Sequence, residues 1–306
     1  MNQKTVLIVI PTYRREDRVE RAVLSALNQT YPYVKVVVVD DNGKGNVHQV
    51  NTEINLEKYF RNHQITYLVN EVNSGGSFSR NQGLFSCESD FVTFLDDDDE
   101  IYPNKIEEQV NCLEKLGTEY SCCYSAYDKL LADGVKYLSS ESVAGDCYAY
   151  ALSRSIYVGS GSNLLVRTSV AKQVGGYDIS FKKNQDLEFL ARVLKGYLLA
   201  YVDKPLFLVH YEIRENNFSN EVLVTAESKF IETFKKEIDS LGKYKAKRIY
   251  RIIAIERFRI CLGKGKSWQN FVNCLKNGVG VITFTKYFIY LIKRVVTKKS
   301  YGFRLF

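Results

Sequence analysis

The chain has 306 residues, with 42 Lys and Arg against 35 Asp and Glu and a formal net charge of +7. That length suits one large or two small domains with ample core, and a hydrophobic content of 45% excludes global disorder. No apolar run is long enough to span a bilayer, and 3 His argue against a histidine-rich metal site.

The first residues pass directly into Val6–Ile10, a β-branched run with no basic leader, so we expect a strand and no signal peptide. Asp17–Asn28 places Val19, Ala22, Val23, Ala26 and Leu27 at helical spacing. Val34–Val39 is a β-branched run broken only by Lys35, as in a strand buried on both faces. Helical stretches at Val47–Tyr59 and Ser77–Ser86 alternate with strands at Ile65–Val69 and Phe91–Leu95. Strand-helix alternation predicts a mostly parallel sheet with right-handed crossovers, whose ligands bind beyond the carboxyl ends of the strands. Those ends are Pro11-Thr12-Tyr13-Arg14, Asp40-Asp41-Asn42 and Asp96–Asp99.

From about 120 to 215 the pattern is mixed. Asp133-Gly134 marks a hairpin, Ser162–Arg167 and Leu198–Val202 read as strands, and Asp186–Lys195 reads as a helix closed by Gly196. Residues 221–306 hold 19 Lys and Arg but 6 Asp and Glu, a net +13, which leaves −6 for the rest. Helical patterns dominate this basic region. The 7 cysteines lack CxxC spacing and read as reduced thiols of a cytoplasmic protein.

Four consecutive aspartates, Asp96 to Asp99, end the apolar run Phe91–Leu95. Gathered carboxylates repel unless a cation or several donors compensate them. A hard divalent cation bridging carboxylates to substrate phosphates is the simplest compensation, and an acidic helix N-terminus is the alternative. Four aspartates followed by Glu100 and Pro103 favour the metal.

The motifs, taken in order, resemble inverting family 2 glycosyltransferases of the bacterial surface-polysaccharide type. They are Ile10–Arg15, Gln29–Pro32, Val38–Asn42, Asn73–Gly76, Arg80–Gly83, Phe94–Asp99 and Gln185–Glu188, spread over roughly residues 5 to 215. The resemblance implies a GT-A fold, an α/β architecture with a mostly parallel central sheet flanked by helices. It implies a catalytic domain over 1–220, with a nucleotide-binding half to about 118 and an acceptor-binding half after it; the basic helical region at 221–306 is read from composition and matches none of these motifs.

The resemblance also implies roles. Pro11, Thr12, Tyr13 and Arg14 hold the nucleotide, with Asp41 reading the base beside Asp40. Asn73, Gly75 and Arg80 lie on the nucleotide side. Asp96 contacts ribose, and Asp98 and Asp99 hold Mn2+ or Mg2+, either of them as the metal contact. Asp97 sits where the family has a small residue. Asp186 is the general base, with Gln185 where many members have glutamate, and Glu188 is a helix-face charge. A late histidine of the family has no match; Arg214 stands near its place, able to bind diphosphate, and His210 is offset.

The residues alone leave alternatives. Tyr13 could pack, Arg80 could neutralise an aspartate, Asp186 could be a helix N-terminal carboxylate, and Asp40–Asn42 could be a turn. The expected activity is metal-dependent, inverting transfer of a hexose from a nucleotide-diphosphate sugar, a UDP-sugar, to a glycan or lipid-linked oligosaccharide at the cytoplasmic face of the membrane. A nucleotidyltransferase and a non-catalytic sugar-nucleotide-binding scaffold are the rivals. The former would carry a glycine-rich, lysine-bearing loop, which Pro11–Arg14 is not. Lys243–Ile253 and Val279–Val296 interleave cations with apolar residues, as in a helical segment on an anionic membrane surface or a packed helical platform; no nucleic-acid motif accompanies the charge.

Overall fold

The computed structural model describes residues 3–131, 133–211, 220–261, 267–299 and 301–306. In chain order the first elements are β1 (Val6–Thr12), α1 (Val19–Leu27), β2 (Val34–Asp40), α2 (Val47–Arg61), β3 (Thr66–Val69), α3 (Gly76–Ser86) and β4 (Phe91–Phe94). Next come β5 (Asp99–Ile101), α4 (Lys105–Leu116), β6 (Tyr120–Leu131), β7 (Lys136–Leu138), α5 (Tyr148–Leu152), β8 (Leu165–Arg167), α6 (Thr168–Gln173), α7 (Gln185–Val193) and β9 (Leu198–Tyr211). The last are α8 (Asn220–Thr233), α9 (Lys235–Ser240), α10 (Lys243–Cys261), α11 (Ser267–Lys276) and α12 (Val281–Thr297). The chain forms two compact units, Met1–Gly145 with Val158–Ile213, and Asp146–Tyr157 with Arg214–Phe306.

The first unit is built on a 9-stranded sheet in the order β3-β2-β1-β4-β8-β6-β9-β5, with β7 on β6. β1 to β4 are parallel, as their alternation with helices requires. The run Val6–Ile10 is fully buried because helices cover both faces of a parallel sheet. Val19, Ala22 and Val23 of α1 and Ile106, Val110 and Leu113 of α4 join Ile8, Ile10, Val36 and Val38 in one core. Each of the Val, Leu and Ile side chains contributes roughly 1.5–3 kcal/mol on full burial.

Register determines where the polar strand ends fall. Thr12 pairs with Asp40, and Val9 pairs with Phe94 while its carbonyl accepts from Leu95 N at 2.8 Å. The residues after β1, β2 and β4 therefore leave the sheet along one edge.

The other half is mixed. β8 is antiparallel to β4 and β6, and β9 is parallel to β6 but antiparallel to β5. Asp99–Ile101 is a short strand held by Phe207–Val209, ahead of α4. Two expectations are corrected here. The strand expected at Leu198–Val202 runs to Tyr211, with register shifts along β6. Of Ser162–Arg167 only Leu165–Arg167 is strand; Gly161–Asn163 is a 3₁₀ turn with a role in the site.

The second unit has its own core of Ile252, Ile255, Cys274, Tyr287, Tyr290 and Phe303. Glu227 is buried there and clamped by Arg154 at 2.9 Å and Arg257 at 2.5 Å, which satisfies a charge that would otherwise be costly. Among the described residues no helix is long and apolar enough to cross a membrane.

Candidate active site

Adjacent aspartates at the end of β2 take different tasks. Asp40 is 0% exposed; its carboxylate accepts from the Tyr67 hydroxyl at 2.6 Å and from Asn42 N at 2.8 Å. Burial raises its pKa. Buried and held by these two donors, Asp40 braces the loop after β2. Asp41 accepts from Asn70 Nδ2 at 2.7 Å, Ser74 N at 2.8 Å and Gly75 N at 2.8 Å. It shapes the Asn73–Gly76 turn, where Gly75 takes φ +90°, a conformation that favours glycine. Asn42 Oδ1 accepts from Arg14 N at 2.7 Å and ties the loops after β1 and β2 together. Pro11 is half-buried on β1, while Tyr13 is exposed with the Arg14 guanidinium 5.2 Å from its ring centre. Asn73 is exposed at the turn.

The four aspartates divide as well. Asp97 accepts from Thr12 Oγ1 at 2.9 Å and pairs with Arg15 at 2.8 Å. Its pKa is pushed up to about 6 by burial, with Arg15 opposing and Asp98 adding to the rise. Arg15 also reaches Asp98 at 2.6 Å. Asp99 accepts from the hydroxyls of Ser160 at 2.6 Å and Ser162 at 2.7 Å, and Asp96 N donates to Ser162 Oγ at 3.0 Å. The Gly159–Ser162 segment thus cradles the cluster, and neither serine was singled out from the sequence. Burial, then the charge of Asp96, pushes Asp99 up to about 7.

Asp96, Asp98 and Asp99 each bring a carboxylate oxygen within 4.8 Å of the others. This donor set is all hard oxygen, and the raised Asp99 marks a cluster short of positive charge. Both observations fit Mg2+ or Mn2+. Asp96, expected at ribose, joins Asp98 and Asp99 in this set, and Asp97 stands outside it.

Arg80 links the cluster to α7. Its guanidinium meets Asp96 at 2.5 Å and donates to Gln185 Oε1 at 3.0 Å, and it lies 5.3 Å from the Tyr177 ring centre. Tyr177 stacks on Phe189 with centroids 4.4 Å apart. Here Arg80 pairs with Asp96, the contact that neutralises an aspartate. Gln185 gives its role a reason: a neutral amide holds Arg80 without adding charge next to Asp186. Asp186 follows in the first turn of α7; burial, then Asp96, raises its pKa, and Arg80 opposes. A carboxylate held above its ordinary range suits a general base near neutral pH.

Glu188 is corrected. It is 1% exposed and bound by Arg192 at 2.5 and 2.6 Å, an internal pair rather than a surface charge. His210 Nε2 lies 2.5 Å from Glu100. Arg214 lies outside the described residues.

A curled α/β sheet with an acidic cluster at a strand end defines the GT-A class of glycosyltransferases. The chain belongs to glycosyl transferase family 2, whose family model matches residues 7–175. It is 29% identical over 196 residues to an uncharacterized glycosyltransferase of Rickettsia felis, covering 62% of this chain and 31% of that protein. An uncharacterized glycosyltransferase of Haemophilus influenzae is 22% identical over 220 residues, covering 71% and 72%. The putative colanic acid biosynthesis glycosyl transferase WcaA of Escherichia coli K12 is 33% identical over 107 residues, covering 34% and 36%. Staphylococcus aureus TarS shares the fold, with a TM-score of 0.62 at 19% identity over 86% of this chain and 44% of TarS. TarS 1–349 in complex with UDP-GlcNAc gives 0.61 at 17% identity, covering 86% and 74%. The chain thus spans less than half the length of the R. felis relative and of TarS.

Proposed function

We propose that the chain transfers a hexose, with inversion, from a UDP-sugar to a glycan or lipid-linked oligosaccharide in bacterial surface polysaccharide synthesis. The observation that carries this is the acidic triad Asp96, Asp98 and Asp99 joined through Arg80 to Gln185, the residue next to Asp186 in α7. The UDP and UDP-GlcNAc complexes of TarS support the donor, and the likeness to WcaA, a putative colanic acid biosynthesis enzyme, supports the pathway class.

Asp98 and Asp99, with Asp96, would hold Mg2+ or Mn2+. When bound, the ion would neutralise diphosphate charge as the nucleotide leaves. Arg80 keeps Asp96 oriented toward the cluster. The loops after β1 and β2, with the Asp41-shaped turn, form the wall for the nucleotide, and Tyr13 offers an exposed ring to the base. Asp186 accepts the proton of the acceptor hydroxyl as that oxygen attacks the anomeric carbon, and UDP departs.

An acceptor at the cytoplasmic membrane face is supported by α12. Val281, Ile282, Phe288, Ile289, Ile292, Val295 and Val296 are exposed. At 100° per residue they form one apolar face, with Lys286 and Lys293 on its flank. A helix of this kind suits the boundary of an anionic bilayer.

UDP release from a panel of sugar nucleotides tests the reading. Turnover with one UDP-sugar, abolished reversibly by EDTA and irreversibly by Asp98→Ala or Asp99→Ala, is the expected result. Full activity in excess EDTA sinks the metal-dependent mechanism.

A further inference from the structure

In the second unit an open cleft of about 490 Å³ is lined by Asp239, Lys243, Lys247, Tyr250, Lys276 and Gly278, among others. Its positive charge has no internal counterpart. Asp239 is the lining carboxylate, and it is already engaged by Lys235 at 2.5 Å and the Tyr250 hydroxyl at 2.9 Å. Lys243, Lys247 and Lys276 have no ion-pair partner among the described residues. Arg251 converges on the same turn. A Cβ on Gly278 would stand 3.2 Å from Lys247 Cε and 3.3 Å from Arg251 Nη2, and Arg251 Nε is buried without a hydrogen-bond partner. Gly278 takes φ +71° and ends α11, so no side chain fills the space between the two cations. Solvated lysines on a convex surface would spread apart. Here three lysines line a concavity, with Arg251 beside its Gly278 edge, which focuses a positive potential.

We propose that this cleft binds a phosphate or diphosphate group. Ammonium groups supply point charge to such an anion, and a guanidinium supplies directional donors. Val281 and Ile282 open α12 and are 81% and 74% exposed. Val281 is three residues past Gly278, so at most about 11 Å away. An anion in the cleft therefore sits beside an apolar surface, the setting a lipid-borne phosphate ester would meet. Free pyrophosphate shares the chemistry without the lipid.

The full chain is titrated with inorganic pyrophosphate in EDTA, so that no divalent cation can hold the anion at the aspartate cluster. A second arm measures co-sedimentation with phosphatidylcholine vesicles, with and without phosphatidic acid. Lys247 and Lys276 are exposed, so Lys247→Gln/Lys276→Gln keeps the fold, which an unchanged melting temperature verifies. Pyrophosphate affinity should fall by about tenfold or more in this variant and return in Lys247→Arg/Lys276→Arg. A variant-sensitive response to phosphatidic acid alone assigns the lipid source; one to pyrophosphate alone assigns the free anion. If parent and double variant bind both probes alike, or neither probe binds, the proposal is overturned. Neither arm reads glycosyl transfer, so failure here leaves the transferase reading standing.

Discussion

At the residue scale, the proposed mechanism rests on Asp186 and Arg80 together. Asp186 must be deprotonated to accept a proton. Burial and the Asp96 charge raise its pKa, so activity should climb with pH through that raised value. The acid limb of kcat/KM should sit above the ordinary aspartate range of about 3.9. Asp186→Asn keeps the shape and removes the acceptor. Transfer should fall by about 10²-fold or more, the acid limb should vanish, and UDP affinity should remain. A parental rate in this variant would assign the base elsewhere. Which aspartate does what was only partly legible in the sequence. Asp40 and Asp41 are neighbours at a strand end, where successive side chains point to opposite faces. Only the pairing of β2 with β3 decides that Asp40 turns to Tyr67 and Asp41 to the Ser74-Gly75 turn. The roles of Ser160 and Ser162 carry no sequence signal, because their partners lie 61 to 66 residues away along the chain.

At the scale of elements, the parallel half was legible and the mixed half was not. β1, β2 and β4 are mostly apolar runs, broken inside only by Lys35 in β2 and Thr93 in β4, and α1 between them keeps a clear period. β5 is three residues, two of them acidic, and exists because β9 offers a ladder more than a hundred residues later. Lys105, at the start of α4, reads as an ordinary surface cation but is 0% exposed beside Thr93 Oγ1 at 3.3 Å. Burial pushes it down to about 7. Its unfolded value is about 10.4, so the charged form burdens the fold fully below about pH 7 and ceases to do so above about pH 10. Stability should therefore rise across that window. Lys105→Met should raise the melting temperature most at or below pH 7, with the gain shrinking toward pH 10; a pH-independent difference would refute the buried charge. Helix α3 gives a second test. A Cβ at Gly83 would collide with the Val9 side chain of β1, one turn beyond Arg80. Overpacking of about 1–3 kcal/mol outweighs the gain of up to about 1 kcal/mol in helix propensity. Gly83→Ala should thus lower the urea midpoint and weaken UDP binding together, because Arg80 rides on the displaced helix. Normal UDP affinity would show that α3 shifts without moving Arg80.

For the whole molecule, the separation of charge visible in the sequence becomes a separation of tasks between two compact units. The first carries the aspartate cluster; the second carries the excess lysine and arginine. That the segment Asp146–Tyr157 groups with the second unit was not readable from composition, since nothing in its residues resembles the basic region. The charge counted in the sequence also overstates what α12 has free for an external partner. Arg294 donates to the Tyr290 hydroxyl at 2.9 Å and lies 5.3 Å from the Tyr157 ring centre, so it stays within its own unit. Lys286, Lys293 and Lys299 are exposed, beside an apolar face that no described residue covers. Each lysine near an anionic bilayer contributes roughly 1 kcal/mol, an attraction that salt screens, while the apolar face contributes a part that salt does not weaken. Charge reversal at Lys286, Lys293 and Lys299 should release the protein from anionic vesicles at low salt. Phe288→Asp should weaken binding at low and high salt alike, and UDP affinity should be unchanged in both variants. Co-sedimentation across a salt series separates the two contributions. If the parent ignores anionic vesicles even at low salt, α12 meets a protein surface instead, and its exposed face should then be sought in an assembly of copies of this chain.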